Sequence, residues 1–315
     1  MLKSIIAGVT LVAAVHGQAL AQWPEKEVNV IVNYGAGGVT DVATRILTRA
    51  MAAKLGKPIV VQNKPGAQAT LGPAFVARQP ADGYTVGVVT FSAVAIIPHL
   101  MNVPYTIDDF EFVGMYGRFR YGIAVRADSP YRTVGDLVAA AKTASNPVFF
   151  GAPGAPNNIA FFELARKTGA KFEQVLYKSG ADTVTALLSG QVEAIIQTPS
   201  EIVPHVTSGN LRLLASVSPS RWPDRPEMPT MREQGFDVEI DSWMGMAVPK
   251  GTPKPIVAKL EAAMIEALKS EEVVNSLRTM GIDPIAMTGE QYRQKVRDGH
   301  AEIGRQLKLA GLVKP

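Results

Sequence analysis

Apolar and polar positions alternate between strand-like and helix-like spacing along most of the chain. Residues 28–34 form an apolar run that predicts a strand, and residues 41–55 repeat apolar positions at helical spacing until Gly56 closes the segment. "PIVVQN" at 58–63 predicts a second strand, ending in the turn residues Lys64, Pro65 and Gly66. A helix over 71–79, the turn "PADG" and the strand "YTVGVVT" at 84–90 follow. This is the βαβ rhythm of a parallel sheet covered on both faces. The rhythm resumes with a helix over 134–143, the strand "PVFFG", a glycine-rich turn, a helix to Lys167, the strand "FEQVLY", a helix to Leu188 and the strands "VEAIIQT" and "LRLLASVS".

Two α/β halves are therefore expected, joined by an extended crossing at 121–130 and a return at 237–253. The last seventy or so residues read as helical: Ile256, Val257, Leu260, Ala263, Met264, Ala267 and Leu268 share one face, and Tyr292, Val296, Ile303 and Leu307 share another. Such stripes are read as core, packed back on the first half. The expected division is a signal peptide at 1–21, a first domain of 22–124 with 243–315, and a second domain of 125–242.

Composition narrows the setting. Of 315 residues, 47% are apolar and 19% charged, which suits a folded chain of about two domains. The first residues carry Lys3, an apolar stretch from Ile5 to Val15, and Ala19-Leu20-Ala21, the three parts of a secretory signal cleaved after Ala21. The stretch is shorter than the roughly 20 residues of a bilayer-spanning helix. The chain has no cysteine, so disulfides and thiolate chemistry are excluded. The formal net charge of +4 falls to +3 without Lys3, and the basic residues are scattered among acids, which argues against nucleic acid as a partner.

The segment "GAGGVT" at 35–40 nearly matches the dinucleotide fingerprint, but Thr40 stands where the third glycine belongs, and no P-loop Gly-Lys-Ser/Thr follows. Gly35, Gly37 and Gly38 before a helix starting at Thr40 or Asp41 would instead converge backbone N–H groups on an anion such as a carboxylate. An ordinary tight turn with Asp41 as helix cap is the alternative. The second half repeats the device in "FFGAPGAPNNIAFFELARK", with Gly151, Gly154, and Asn157 or Asn158 at the capping position. In parallel sheets ligands sit at the carboxyl ends of strands, where both loops lie, so a small acid could be clamped between them.

The ordered series "WPEKEVNVIVNYGAGGVTD", "VVQNKPGA", "PADGYTV", "DDFEFVG", "LYKSGADTVTALLSGQVEAI", "GNLRLLAS", "RWPDRPEMPTMREQGF" and "WMGMAVPKGTP" resembles the substrate-binding proteins of tripartite tricarboxylate transporters, the Bug family. The resemblance spans essentially the whole chain after the signal. It implies an α/β, two-domain periplasmic-binding-protein fold of type II-like organisation, with parallel-rich sheets flanked by helices and a ligand cleft between the domains. It further implies a periplasmic receptor, not an enzyme, that captures a small carboxylate without a cofactor or metal and delivers it to membrane permease subunits. A monomer is expected. A ligand-loaded sensor subunit, or an exported enzyme with an unusual site, are the alternatives.

Against the family's first loop, Ala36, Gly37, Gly38 and Asp41 match, while Tyr34 stands for a phenylalanine and Asn33 for a proline. Backbone donors of Gly37, Gly38, Val39 and Thr40 are expected to serve the anion. In the second loop the family often has serine or threonine before the helix and a histidine three residues on; Asn157 and Ala160 stand there. Ala160 would open space for an aromatic or partly apolar acid. The expected ligand-binding set is Tyr34, Gly37, Gly38, Val39, Thr40, Asp41, Phe91, Ser92, Gly154, Ala155, Asn157, Asn158, Tyr177 and Gln197, with Thr90 and Thr198 nearby and Lys178 solvated. The aromatics Tyr34, Phe91, Phe150, Tyr177 and Trp243 are each core or ligand platform. Arg118 and Arg120 either meet a second carboxylate or form salt bridges. His99, His205 and His300 lack metal-site spacing and read as structural.

Overall fold

In the computed structural model, which describes residues 23–143, 145–309 and 313, two sheets form two lobes. The signal segment and its expected cleavage after Ala21 lie outside the described residues. The chain runs β1 (Val28–Val32), α1 (Val39–Leu55), β2 (Ile59–Asn63), α2 (Leu71–Val76), β3 (Thr85–Thr90), a π-helical turn (Ser92–Ile96), α3 (Ile97–Leu100) and β4 (Phe110–Phe119). It crosses into β5 (Gly122–Arg126), α4 (Val134–Thr143), β6 (Val148–Ala152), α5 (Asn157–Thr168), β7 (Phe172–Leu176), α6 (Gly180–Leu188), β8 (Ala194–Gln197), α7 (Pro199–Thr207) and β9 (Leu211–Ser216). It returns as β10 (Ser242–Pro249), then α8 (Lys254–Ala267), α9 (Glu271–Thr279), β11 (Ile282–Asp283), β12 (Met287–Thr288) and α10 (Gly289–Leu309).

The first sheet has the order β11-β4-β10-β3-β1-β2 with β12 on β4, and the second β7-β6-β8-β5-β9. Parallel ladders join β1 to β2 and β3, and β6 to β7 and β8. The crossing strands β5 and β10 run antiparallel to their neighbours. Their direction follows from the route: each enters its sheet from the space between the lobes, toward which the parallel strands run. Because β5 begins at Gly122, the crossing lies at Arg120 and Tyr121, ahead of the boundary expected at 125.

Both faces of the first sheet are covered, so neighbouring apolar residues of one strand enter different cores. Val28, Val30 and Val32 of β1 pack with Leu47 and Met51 of α1 and Leu260 and Met264 of α8, whereas Ile31 packs on the opposite face. That opposite core holds an edge-on aromatic chain: Phe91 to Trp243 at 5.1 Å, Trp243 to Tyr292 at 5.3 Å, and Phe112 to Tyr292 at 5.4 Å. Phe91 and Trp243 are core residues here, and Phe150 is another, stacked on Phe161 at 4.2 Å.

Arg118 and Arg120 pin the crossing. Arg120 is buried, donates to Asp224 of the loop after β9 and to the Arg278 carbonyl, and lies 3.6 Å from Asp283; Arg118 donates to Asp283 at 2.9 Å. Both guanidinium groups are held by this chain's own carboxylates. His99 and His300 are likewise structural: His99 Nε2 meets the His300 carbonyl at 2.9 Å, and the rings lie 4.1 Å apart.

At the centre of β10, Gly245 sits where a Cβ would overlap the Gly114 carbonyl oxygen and the Tyr292 ring. Gly245→Ala is expected to cost about 3 kcal/mol by overpacking. Denaturant unfolding would measure it, and a wild-type midpoint would show that the Tyr292 ring and β4 give way freely.

Candidate functional site

Between the lobes lies a cleft of about 1300 Å³. Tyr34, Gly38, Val39, Thr40 and Ser92 line it from the first lobe, and Gly154, Ala155, Asn157, Asn158 and Gln197 from the second. Gly37, Asp41, Phe91 and Tyr177 do not.

The first loop is smaller as an anion nest than its glycines suggest. α1 begins at Val39 with Gly38 as N-cap and no side-chain cap. Gly37, at φ +80°, donates its N–H to Asp41 Oδ2 at 2.9 Å, and the Gly38 N–H turns back to the Gly35 carbonyl at 3.3 Å. Val39 and Thr40 are left with N–H groups that have no partner among the described residues. Asp41 is therefore not the cap, does not line the cleft, and braces the loop. Asn63 Nδ2 donates to its Oδ1 at 2.8 Å, and Arg45 Nε at 3.0 Å. Burial alone would raise the Asp41 pKa, but the bonds from Arg45, the Gly37 amide and Asn63 outweigh it and hold the carboxyl below its ordinary value.

Above the loop, Tyr34 turns its hydroxyl toward Thr90 and Ser92; burial pushes its pKa up, against the pull of those two hydroxyls. Asn33 is buried at the cleft wall. Its Nδ2 donates to the Ala69 carbonyl at 3.0 Å and to Thr90 at 3.2 Å, which leaves Oδ1 without a partner.

The second loop is also partly closed on itself, because the Asn158 N–H donates to the Gly154 carbonyl and the Ile159 N–H to the Pro156 carbonyl. Asn157 works through another residue. Its Nδ2 donates to the Ile196 carbonyl at 2.5 Å and to Gln197 Oε1 at 3.1 Å, so the Gln197 amide is turned with Nε2 unpartnered. Two further helix N-termini reach the cleft, at Gly180 of α6 and beside Thr198 at the head of α7.

The geometry changes what was expected of Tyr177 and Ala160 and adds Glu201. Tyr177 points away, with its hydroxyl 3.4 Å from Gln191, while its neighbours Leu176 and Lys178 line the cleft. One residue decides this, since side chains alternate faces at a strand end. Ala160 lies in a different groove, of about 1020 Å³, between α5, residues 237–241 and α10; Phe91 lines that groove too. The small side chain adds no room to the cleft. Glu201 was missed: Thr198-Pro199-Ser200-Glu201 has the spacing of a capping box, a sequence signal that marks both α7 and its third residue. Lys178 and Glu201 are the only charged side chains among the described residues lining the cleft, and no metal-binding cluster occurs among the described residues.

Residues 43–312 match the tripartite tricarboxylate transporter family receptor. The chain belongs to that family. It is 33% identical over 298 residues to Protein BugT of Bordetella pertussis, covering 93% of this chain and 90% of that one. Among solved structures it is similar to the periplasmic binding protein BugD (30% identity, TM-score 0.79, covering 93% of this chain and 100% of that one). It is also similar to an R. palustris protein solved with adipate (27% identity, TM-score 0.82, 92% and 99% covered). The chain is thus a solute-binding receptor of a transport system rather than an enzyme, with the two-lobed α/β fold of periplasmic binding proteins.

Removing the brace tests the loop. Asp41→Ala leaves three donors without their acceptor and is expected to cost about 1–3 kcal/mol at neutral pH. Since the native carboxyl titrates below its unfolded value of about 3.9, the gap between wild type and variant is full above that pH. It begins to shrink as the pH falls below it and is lost through the native pKa. Urea midpoints at pH 7 and pH 3 would show the gap, and a gap that widens in acid would refute the assignment.

Proposed function

We propose that this receptor works in the periplasm, after loss of its first 21 residues, capturing a small carboxylate between its lobes and handing it to membrane permease subunits. The observation that supports the reading is the donor set of the cleft. Free N–H groups at Val39 and Thr40 of α1 and the unpartnered Gln197 amide converge on a cavity that no arginine lines. Helix N-termini and amides suit a carboxylate that must be released again, because they neutralise it by partial charges rather than by a salt bridge. The structure with adipate in the R. palustris protein supports the same class of ligand. No helix among the described residues is long and apolar enough to cross a membrane, so in this reading the permease provides the passage.

Closure is part of the proposal. The lobes, taken to move as two bodies, are joined at Arg120 and Tyr121 and by the return near Asp241, and a ligand that touches both lobes favours the closed form by its extra contacts there.

Calorimetric titration against aliphatic, dicarboxylic and aromatic acids and their uncharged amides tests capture. Binding of an acid but not of its amide is expected, and equal binding of both would remove the carboxylate from the site. Small-angle scattering tests closure: a saturating acid should reduce the radius of gyration, and an unchanged curve would mean that the lobes do not close.

A further inference from the structure

Glu201 is an acid in a cleft built for anions. It occupies the first turn of α7, where Thr198 Oγ1 donates to its Oε2 at 2.9 Å. Its side chain is half-buried, and it forms no ion pair among the described residues. Lys178, the other charged lining residue, is exposed. Oε1 accepts no hydrogen bond among the described residues and lies against Gly180, where a Cβ would overlap it. Burial raises the Glu201 pKa, against the bonds from Thr198, as expected of a carboxylate without a cation.

The neighbouring polar groups divide into donors and acceptors. Val39 and Thr40 offer N–H groups from the first lobe, and Gln197, 1% exposed, has an unpartnered Nε2. Glu201 Oε1 is an acceptor, and so is Oδ1 of Asn33, also 1% exposed and unpartnered. A dicarboxylate offers acceptors at both ends and would set one of them against Glu201 in a partly desolvated space, where like charges are strongly disfavoured. A solute with a carboxylate at one end and an ammonium at the other meets both sets.

We propose that Glu201 selects amino-acid-type solutes, receiving the ligand's ammonium group on Oε1 while the ligand's carboxylate meets the Val39 and Thr40 amides, and that it rejects dicarboxylates of the same length. This rests on the carboxylate-capture reading. The pairing also gives closure a charge-driven component, because Glu201, otherwise met among the described residues only by Thr198 and the partial charge of the α7 N-terminus, gains a full counter-charge when the ligand is bound.

Two matched series test it by calorimetry: butyrate, succinate and 4-aminobutyrate, and hexanoate, adipate and 6-aminohexanoate. Within a series only the far end changes. Wild type is expected to bind the amino acid about tenfold or more tighter than the dicarboxylate of equal length, and Glu201→Gln to lose that preference or reverse it. A dicarboxylate bound as tightly as its amino-acid partner by wild type, or a ratio unchanged in a folded E201Q, overturns the role of Glu201 while leaving carboxylate capture intact. Should E201Q unfold, the wild-type ratio alone decides. Binding of none of the six acids removes the capture reading and this inference together.

Discussion

Strand direction governs the site. Every parallel strand of both sheets runs toward the space between the lobes, so the loops that leave β1, β3, β6, β7 and β8 all open on one cleft. Helices that follow those strands start there, with their N–H ends toward the same space. The two crossing strands must then run the opposite way, which is why β5 and β10 are antiparallel to their neighbours. The Arg120 cluster fixes where the chain passes from one sheet to the other.

Within that frame, most of the polar groups near the cleft are spent on holding the loops rather than on holding a ligand. Asp41 takes the Gly37 amide, Asn63 and Arg45; Asn157 takes the Ile196 carbonyl and turns Gln197; Asn33 takes the Ala69 carbonyl. What stays free is a short set of donors and acceptors whose orientation is fixed by these braces. A binding site of this kind is preorganised, so little ordering remains to be done when a solute arrives.

The βαβ units at 28–90 and 134–197, the glycine loops and the family were legible in the sequence, because such units impose their periodicity and turn residues locally; β4, the helix Pro199–Thr207 and the short strands at Ile282–Asp283 and Met287–Thr288 were not. The stripes at Ile256 to Leu268 and at Tyr292 to Leu307 entered the core, apart from Val257, which is half-buried, as amphipathic helices on a covered sheet do. Which polar atoms remain free was not legible. That depends on partners far apart in the chain, such as Asn63 with Asp41 and Ile196 with Asn157.

By itself the sequence determined the main βαβ elements, the C-terminal helices and the class of protein, since those follow from local propensity, burial pattern and a family-wide series of motifs. Only the tertiary structure decided that Tyr177 and Ala160 face away from the cleft, that the Gly37 amide is already taken, and that Glu201 stands within it with no ion-pair partner among the described residues. The physical reason is that side-chain direction at a strand end turns on a single residue of register. The availability of a hydrogen-bonding group depends in turn on what the rest of the fold has packed against it.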